Sequence, residues 1–161
     1  MSTATAFDIK DVLKQSAQMG TSFMVKDIKH LTDEQLSASP GGKAKSPLEF
    51  IAEVGLVNHA MADILLGKEA RSEESFATKI PEYNTREKAV SILESGTKAI
   101  CEAIDQTAVE DFHTSVTAPW GAPATKFFLA SMAGTHAMYH DGQLNYLQAM
   151  GGDTEVHWME E

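Results

Sequence analysis

Apolar residues recur every three or four positions over four long stretches of the chain, which is the spacing of one face of an α-helix. In the first stretch, Ile9, Leu13, Ala17, Gly20, Met24, Ile28 and Leu31 predict a helix of about six turns. A polar, glycine-bearing segment follows, TDEQLSASPGGKAK. The second stretch opens on start signals. Ser46 can cap, Pro47 suits the first helical position, and Glu49 completes a capping box. Its stripe is Ile51, Gly55, His59, Ala62 and Leu66, with a stop near Gly67. Residues 68–84 are polar, contain Pro81 and read as a connection, with the acidic run Glu69 to Glu74 as a solvated loop. The third helix is expected to be capped by Asn84, with Glu87 three places on. Its stripe is Ala89, Leu93, Gly96, Ile100 and Ile104.

Residues 107–122 break the helical period. Val116, Pro119, Trp120 and Gly121 there read as an ordered irregular loop. The fourth helix is expected from near Pro123 to Met150, with Phe128, Met132, His136, His140, Gln143, Leu147 and Met150 on one stripe and Gly151 and Gly152 at its end. No strand alternation is visible. The tail DTEVHWMEE is expected to pack only through Val156 and Trp158, with His157 in solvent. Four amphipathic helices of this length predict an all-α fold, a four-helix bundle, in one domain spanning residues 1–161.

Composition narrows the function. With 43% hydrophobic and 22% charged residues, 161 residues can bury a full core without disulfide staples. The formal net charge of −10 opposes a nucleic-acid binder, which needs a basic face, and opposes docking on anionic lipid. One cysteine excludes an internal disulfide and fits a reducing compartment. No apolar run approaches the ~20 residues that cross a bilayer, and MSTATAFDIKDV lacks the pattern of a signal peptide. The expected location is the cytoplasm.

The chemistry on offer is imidazole. His136 and His140 stand i, i+4 on one helix face, one turn apart, so both can reach one metal ion. His59 is placed on the inward stripe of the second helix. Three neutral imidazoles with open coordination positions suit zinc, nickel or another borderline divalent ion. The competing reading is three histidines satisfied by hydrogen bonds, although burying three imidazoles without partners costs a few kcal/mol or more. Asp63 stands four residues from His59 and Gln143 three from His140. Each is a candidate to orient an imidazole or a bound water. His30 reads as a surface residue at a helix end. Glu110 and His113 form a single E-x-x-H in a loop, and a di-iron site would need two such motifs and further inward glutamates. Cys101 reads as a small buried hydrophobe. A glycine-rich phosphate loop and a nucleophile elbow are both absent.

These residues resemble the DinB-like superfamily, which includes the YfiT-type metal-dependent proteins. The resemblance rests on His59 in VGLVNHA, and on H-x-x-x-H-x-x-Q (His136, His140, Gln143) followed by Leu144, Leu147, Met150 and the glycine pair. It extends over residues 6 to about 152. It implies an up-down-down-up four-helix bundle of the DinB/YfiT type with a long crossover connection. It further implies one divalent metal ion, zinc or nickel, on His59, His136 and His140, and a homodimer. Some relatives are thiol-dependent S-transferases or isomerases that use a low-molecular-weight thiol. The resemblance thus gives a metal- and thiol-dependent S-transferase or hydrolase-like enzyme acting on a small electrophile. The alternatives are a non-catalytic metal or small-ligand binding bundle and a purely structural protein. Val12, Met19 and Phe23, which flank the first apolar stripe, would supply the dimer edge.

Overall fold

The computed structural model describes residues 8–69 and 73–160, so the first seven residues, on which the signal-peptide reading partly rests, and part of the acidic run 69–74 lie outside the described residues. The chain is all-α but for one small hairpin. Its helices are α1 (Ile9–Ile28), α2 (Asp33–Ser37), α3 (Pro47–Leu65), α4 (Glu73–Ala77), α5 (Arg86–Gln106) and α6 (Lys126–Met150). Short 3-10 turns occupy Ile80–Glu82 and Val109–His113.

Local chemistry sets most of the boundaries. The Ser46–Glu49 capping box forms, with Pro47 inside the first turn of α3. Gly67, just past the end of α3, has φ +73°, which a side-chain-bearing residue adopts only under strain. The polar segment after α1 contains a second capping box, Thr32 with Gln35, and this nucleates the short α2. At α5 the cap is Thr85 rather than Asn84, because the Thr85 hydroxyl accepts from the Lys88 amide. At α6 the cap is Thr125, so the helix begins three residues after Pro123. Pro123–Thr125 instead pairs antiparallel with Ser115–Thr117, in a hairpin whose first strand falls in the segment expected to be irregular and whose second falls where the fourth helix is expected to start.

The four long helices run up, down, down, up. Lys14 meets Asp105 at 2.7 Å at one end of α1, and Arg86 reaches the Leu31 carbonyl at 2.7 Å at the other, so α1 and α5 are antiparallel. One core cluster gathers Leu13, Ala17, Met61, Leu65, Ile100, Ile104, Leu129 and Ala133. The other gathers Met24, Ile28, Ile51, Val54, Ala89, Leu93, Ala137 and Leu144. Residue numbers thus rise together along α1 and α6, and along α3 and α5. Each parallel pair is drawn close by missing side chains. A Cβ on Gly96 would lie 2.2 Å from the Gly55 carbonyl oxygen, and one on Gly134 would lie 2.1 Å from Ser16 Oγ.

The buried face of α6 differs from the expected stripe by about one residue. Leu129, Ala130, Ala133, Gly134, Ala137, Leu144 and Gln148 are buried, whereas Phe128 and Met150 are 44% and 64% exposed. Small residues line the core face where α1 approaches closely, around Gly134 and Ala137, while Phe128 and Met150 lie outside it. The tail also departs from expectation. Val156 is exposed, while His157 is buried and Trp158 stacks on Phe23 with ring centroids 4.7 Å apart. Phe23 is therefore covered by the chain's own tail, while Val12 and Met19 stay exposed.

Candidate functional site

α6 carries His136 and His140 on the side that meets α3. Their Nε2 atoms stand 3.0 Å apart, as the one-turn spacing requires. Gln143, a further three residues along, accepts from His140 Nδ1 through Oε1 at 2.7 Å. That bond fixes the proton of His140 on Nδ1 and turns the Nε2 lone pair toward His136. Phe50 of α3 stacks on the His140 ring at 5.0 Å and 10°, and Tyr139 packs edge-on at 4.9 Å. The His140 ring is thus held by one stacked and one edge-on aromatic contact.

Three residues after Phe50, α3 presents Glu53. One ligand atom from each of Glu53, His136 and His140 lies within 4.8 Å of the others. Burial drives the His136 imidazole down to about 4, with the neighbouring His140 adding to the effect and Glu53 opposing it. Burial also lowers His140, against the Gln143 hydrogen bond. Both rings are therefore neutral near pH 7, the form in which imidazole ligates. His136 Nδ1 is buried without a hydrogen-bond partner. Lys45 pairs with Glu53 Oε2, which leaves the second carboxylate oxygen for another contact.

The cluster forms a wall between two cavities. The larger, about 960 Å³, is bounded by Phe50, Glu53, His136, Tyr139, His140 and Tyr146 among others. The smaller, about 280 Å³, is apolar beyond that wall, with Val57, Ile80, Pro119, Trp120 and Met132 around Glu53 and His136. A group held on the three donors would face both spaces.

The three-histidine set expected from the sequence is not assembled. His59 lies against α5, where its Nε2 meets Ser95 Oγ at 2.9 Å. Six residues separate it from Glu53, which turns the two side chains about 120° apart around the helix axis. Glu53 takes the place expected for His59. Asp63, expected to orient His59, pairs with Lys68 Nζ at 3.1 Å. Gln143 contacts His140 as described. Glu110 and His113 sit in an exposed 3-10 turn, apart from the cluster. Cys101 is buried, and burial pushes its thiol up, away from the reactive thiolate. The sequence signal for Glu53 is its place one turn after Phe50, as the one charged residue between Glu49 and Asp63 on a largely apolar helix.

No helix among the described residues is long and apolar enough to cross a membrane. No known family model matches the chain, and no curated protein matches it. The chain is similar in fold to a conserved protein from Enterococcus faecalis whose crystal structure is known. The TM-score is 0.71 at 13% identity, over 90% of this chain and 98% of that one. At that identity the likeness establishes a shared fold.

Proposed function

We propose that Glu53, His136 and His140 bind one divalent metal ion and that the chain is a metal-dependent enzyme acting on a small molecule in the adjoining cavities. The observation that carries this reading is the convergence of two neutral imidazoles and a carboxylate on the wall between two cavities. Two histidines and a glutamate are a donor set used for catalytic zinc, with coordination positions left open. The facing Nε2 atoms of His136 and His140, with the Glu53 carboxylate beside them, fit an ion as their shared partner. When bound, the ion would act as a Lewis acid and lower the pKa of a water or thiol at an open position. Zinc or nickel suits the donors.

The chain's own groups have separable parts. Gln143 and Phe50 hold His140 in one tautomer and one orientation. Lys45 offsets the Glu53 charge and brings a cation to the rim of both cavities. The smaller cavity can take a hydrophobic group, while the larger one has room for a co-substrate. The up-down-down-up order and the H-x-x-x-H-x-x-Q segment support a DinB-like four-helix bundle, with Glu53 in place of the expected third histidine. That resemblance favours S-transfer from a low-molecular-weight thiol to a small electrophile. It also favours a homodimer, for which Val12 and Met19 offer exposed apolar area.

Elemental analysis of untagged protein tests the metal centre. We expect Glu53→Ala and His136→Ala to lose the ion and His59→Ala to keep it. Full metal content in both of the first two variants would overturn the reading, and selective loss in His59→Ala would restore the three-histidine set. A panel of thiols and electrophiles then tests catalysis. Metal binding without turnover across that panel would favour the non-catalytic alternative.

A further inference from the structure

Given the metal centre proposed above, on which this rests, we propose that Lys45 selects the substrate. That substrate is an apolar carboxylic acid. Its carboxylate meets the Lys45 ammonium beside the cluster, and its hydrocarbon body, about the size of a benzene ring, fills the smaller cavity.

Lys45 immediately precedes Ser46, whose capping box with Glu49 starts α3. Its backbone is thereby held beside the first turn. The side chain runs along α3 to Glu53, eight residues on, where Nζ donates to Oε2. Lys45, Glu53 and His136 bound both cavities. Among the described residues, Lys45 and Glu53 are the only Lys, Arg, Asp or Glu on either lining. The Lys45 ammonium is therefore the one lysine or arginine cation that a molecule in either space can meet.

Charge sets the sign of the ligand. Glu53 and Lys45 cancel, and the two lowered imidazoles are neutral, so the cluster alone carries no net charge. A divalent ion raises it to +2, which favours an anion over a neutral molecule. The same ion draws on the Glu53 carboxylate and weakens its hold on Lys45, whose N–H groups can then donate to a second acceptor. Without the ion, Glu53 competes for Lys45 and repels an acid. Metal and acid should thus tighten each other's binding by the same factor.

Size and lining describe the rest of the molecule. The smaller cavity, about 280 Å³, is walled by Val57, Phe76, Ile80, Trp120 and Met132. A cavity of about 150 Å³ holds benzene, so there is room for one ring and a short linker. Ile80 and Trp120 come from the two connections that flank α5. Apolar walls with a few polar groups at one end are the usual form of a small-molecule site. A phosphate head would call for more donors than one ammonium, and neither lining holds an arginine among the described residues.

Calorimetric titration of the zinc-loaded, untagged full chain with phenylacetate tests the proposal. Phenylacetamide is the neutral isostere, and acetate lacks the ring. Zinc content is measured first, and the indole proton of Trp120 is followed by NMR. We expect phenylacetate to bind roughly tenfold tighter than either comparator, as a charged hydrogen bond and a buried ring can each supply. It should also shift the Trp120 signal. Lys45→Met should lose most of the preference for the acid over the amide, and Lys45→Arg should keep it. The Lys45 side chain is 51% exposed, so these variants leave the core intact. Full preference in Lys45→Met would mean that the ion alone reads the acid and would overturn the proposal. So would equal binding of acid and amide by the zinc-loaded wild type, or a Trp120 signal that phenylacetate does not move. A wild type that takes up no zinc would instead refute the metal centre itself, before any acid is added.

Discussion

Asp141 stands next to His140 and shows how much a single position can constrain this protein. Both its carboxyl oxygens are buried without a hydrogen-bond partner, close to the equally buried Asp27. Burial, reinforced by the Asp27 charge, raises the Asp141 carboxyl to about 8 from its ordinary 3.8. The native state keeps a proton there that the unfolded chain releases, so Asp141 makes stability fall as pH rises from ~4 to ~8. His136 acts in the opposite sense. Its imidazole is lowered to about 4 from 6.5, so its contribution is present above ~6.5 and lost as pH falls toward 4. With chelator present, Asp141→Asn should remove the loss between pH 6.5 and 8.5 and leave the acid limb in place. Melting temperatures at pH 5, 6.5 and 8.5 for both proteins check this, and parallel curves above pH 6.5 would count against it. The residue scale also shows what the sequence could disclose. The i, i+4 spacing of His136 and His140 places them together in any helix, however it packs. Pairing His30 with His157 requires the tail to return to the end of α1, which no local pattern records.

At the scale of elements, legibility follows how one-sided each helix is. The stripes of α1 and α5 are readable because each has a polar face to contrast with an apolar one. α3 is buried nearly all round, so its apolar positions give no phase. His59 and Glu53 both fit some stripe, and only packing against α6 decides between them. α6 misleads for a different reason. The stretch of its core face from Ala130 to Ala137 is alanine and glycine, while Phe128 and Met132 suggest a face turned about one residue away. The cause is the close approach within each parallel pair, and that makes a test. Gly96→Ala puts a methyl group against the backbone of α3, which cannot yield locally, and should cost about 1–3 kcal/mol or more. Gly142→Ala, on the open side of α6 with nothing within 4 Å, should instead add roughly 0.5–1 kcal/mol by its better helix propensity. Urea unfolding of the two variants measures both. Equal effects would mean that the glycine contacts do not set the spacing of α3 and α5.

At the scale of the whole molecule, the connections at the two ends of the helices do different work. Residues 29–46 carry the chain past one end, bringing His30 to the tail and Lys45 to Glu53. Residues 107–125 cross the other end and bring Pro119 and Trp120 to the smaller cavity. The α6 cluster joins α3 to α6, and the tail cluster joins the end of α1 to residues beyond α6. An ion on the α6 cluster would therefore stabilise the contact between α3 and α6. An ion at a hundred times its dissociation constant adds about 2.7 kcal/mol to the native state. For a chain of this size that is ~5–10 °C in melting temperature. Chelation should lower the wild-type melt by this much. In His136→Ala chelation should change nothing, while the apolar core keeps the chain helical. Thermal melts of the two proteins with and without EDTA measure the step. A His136→Ala variant as sensitive to EDTA as the wild type would place the stabilising ion elsewhere, and a wild type insensitive to EDTA after verified metal loading would deny the site any part in holding the fold.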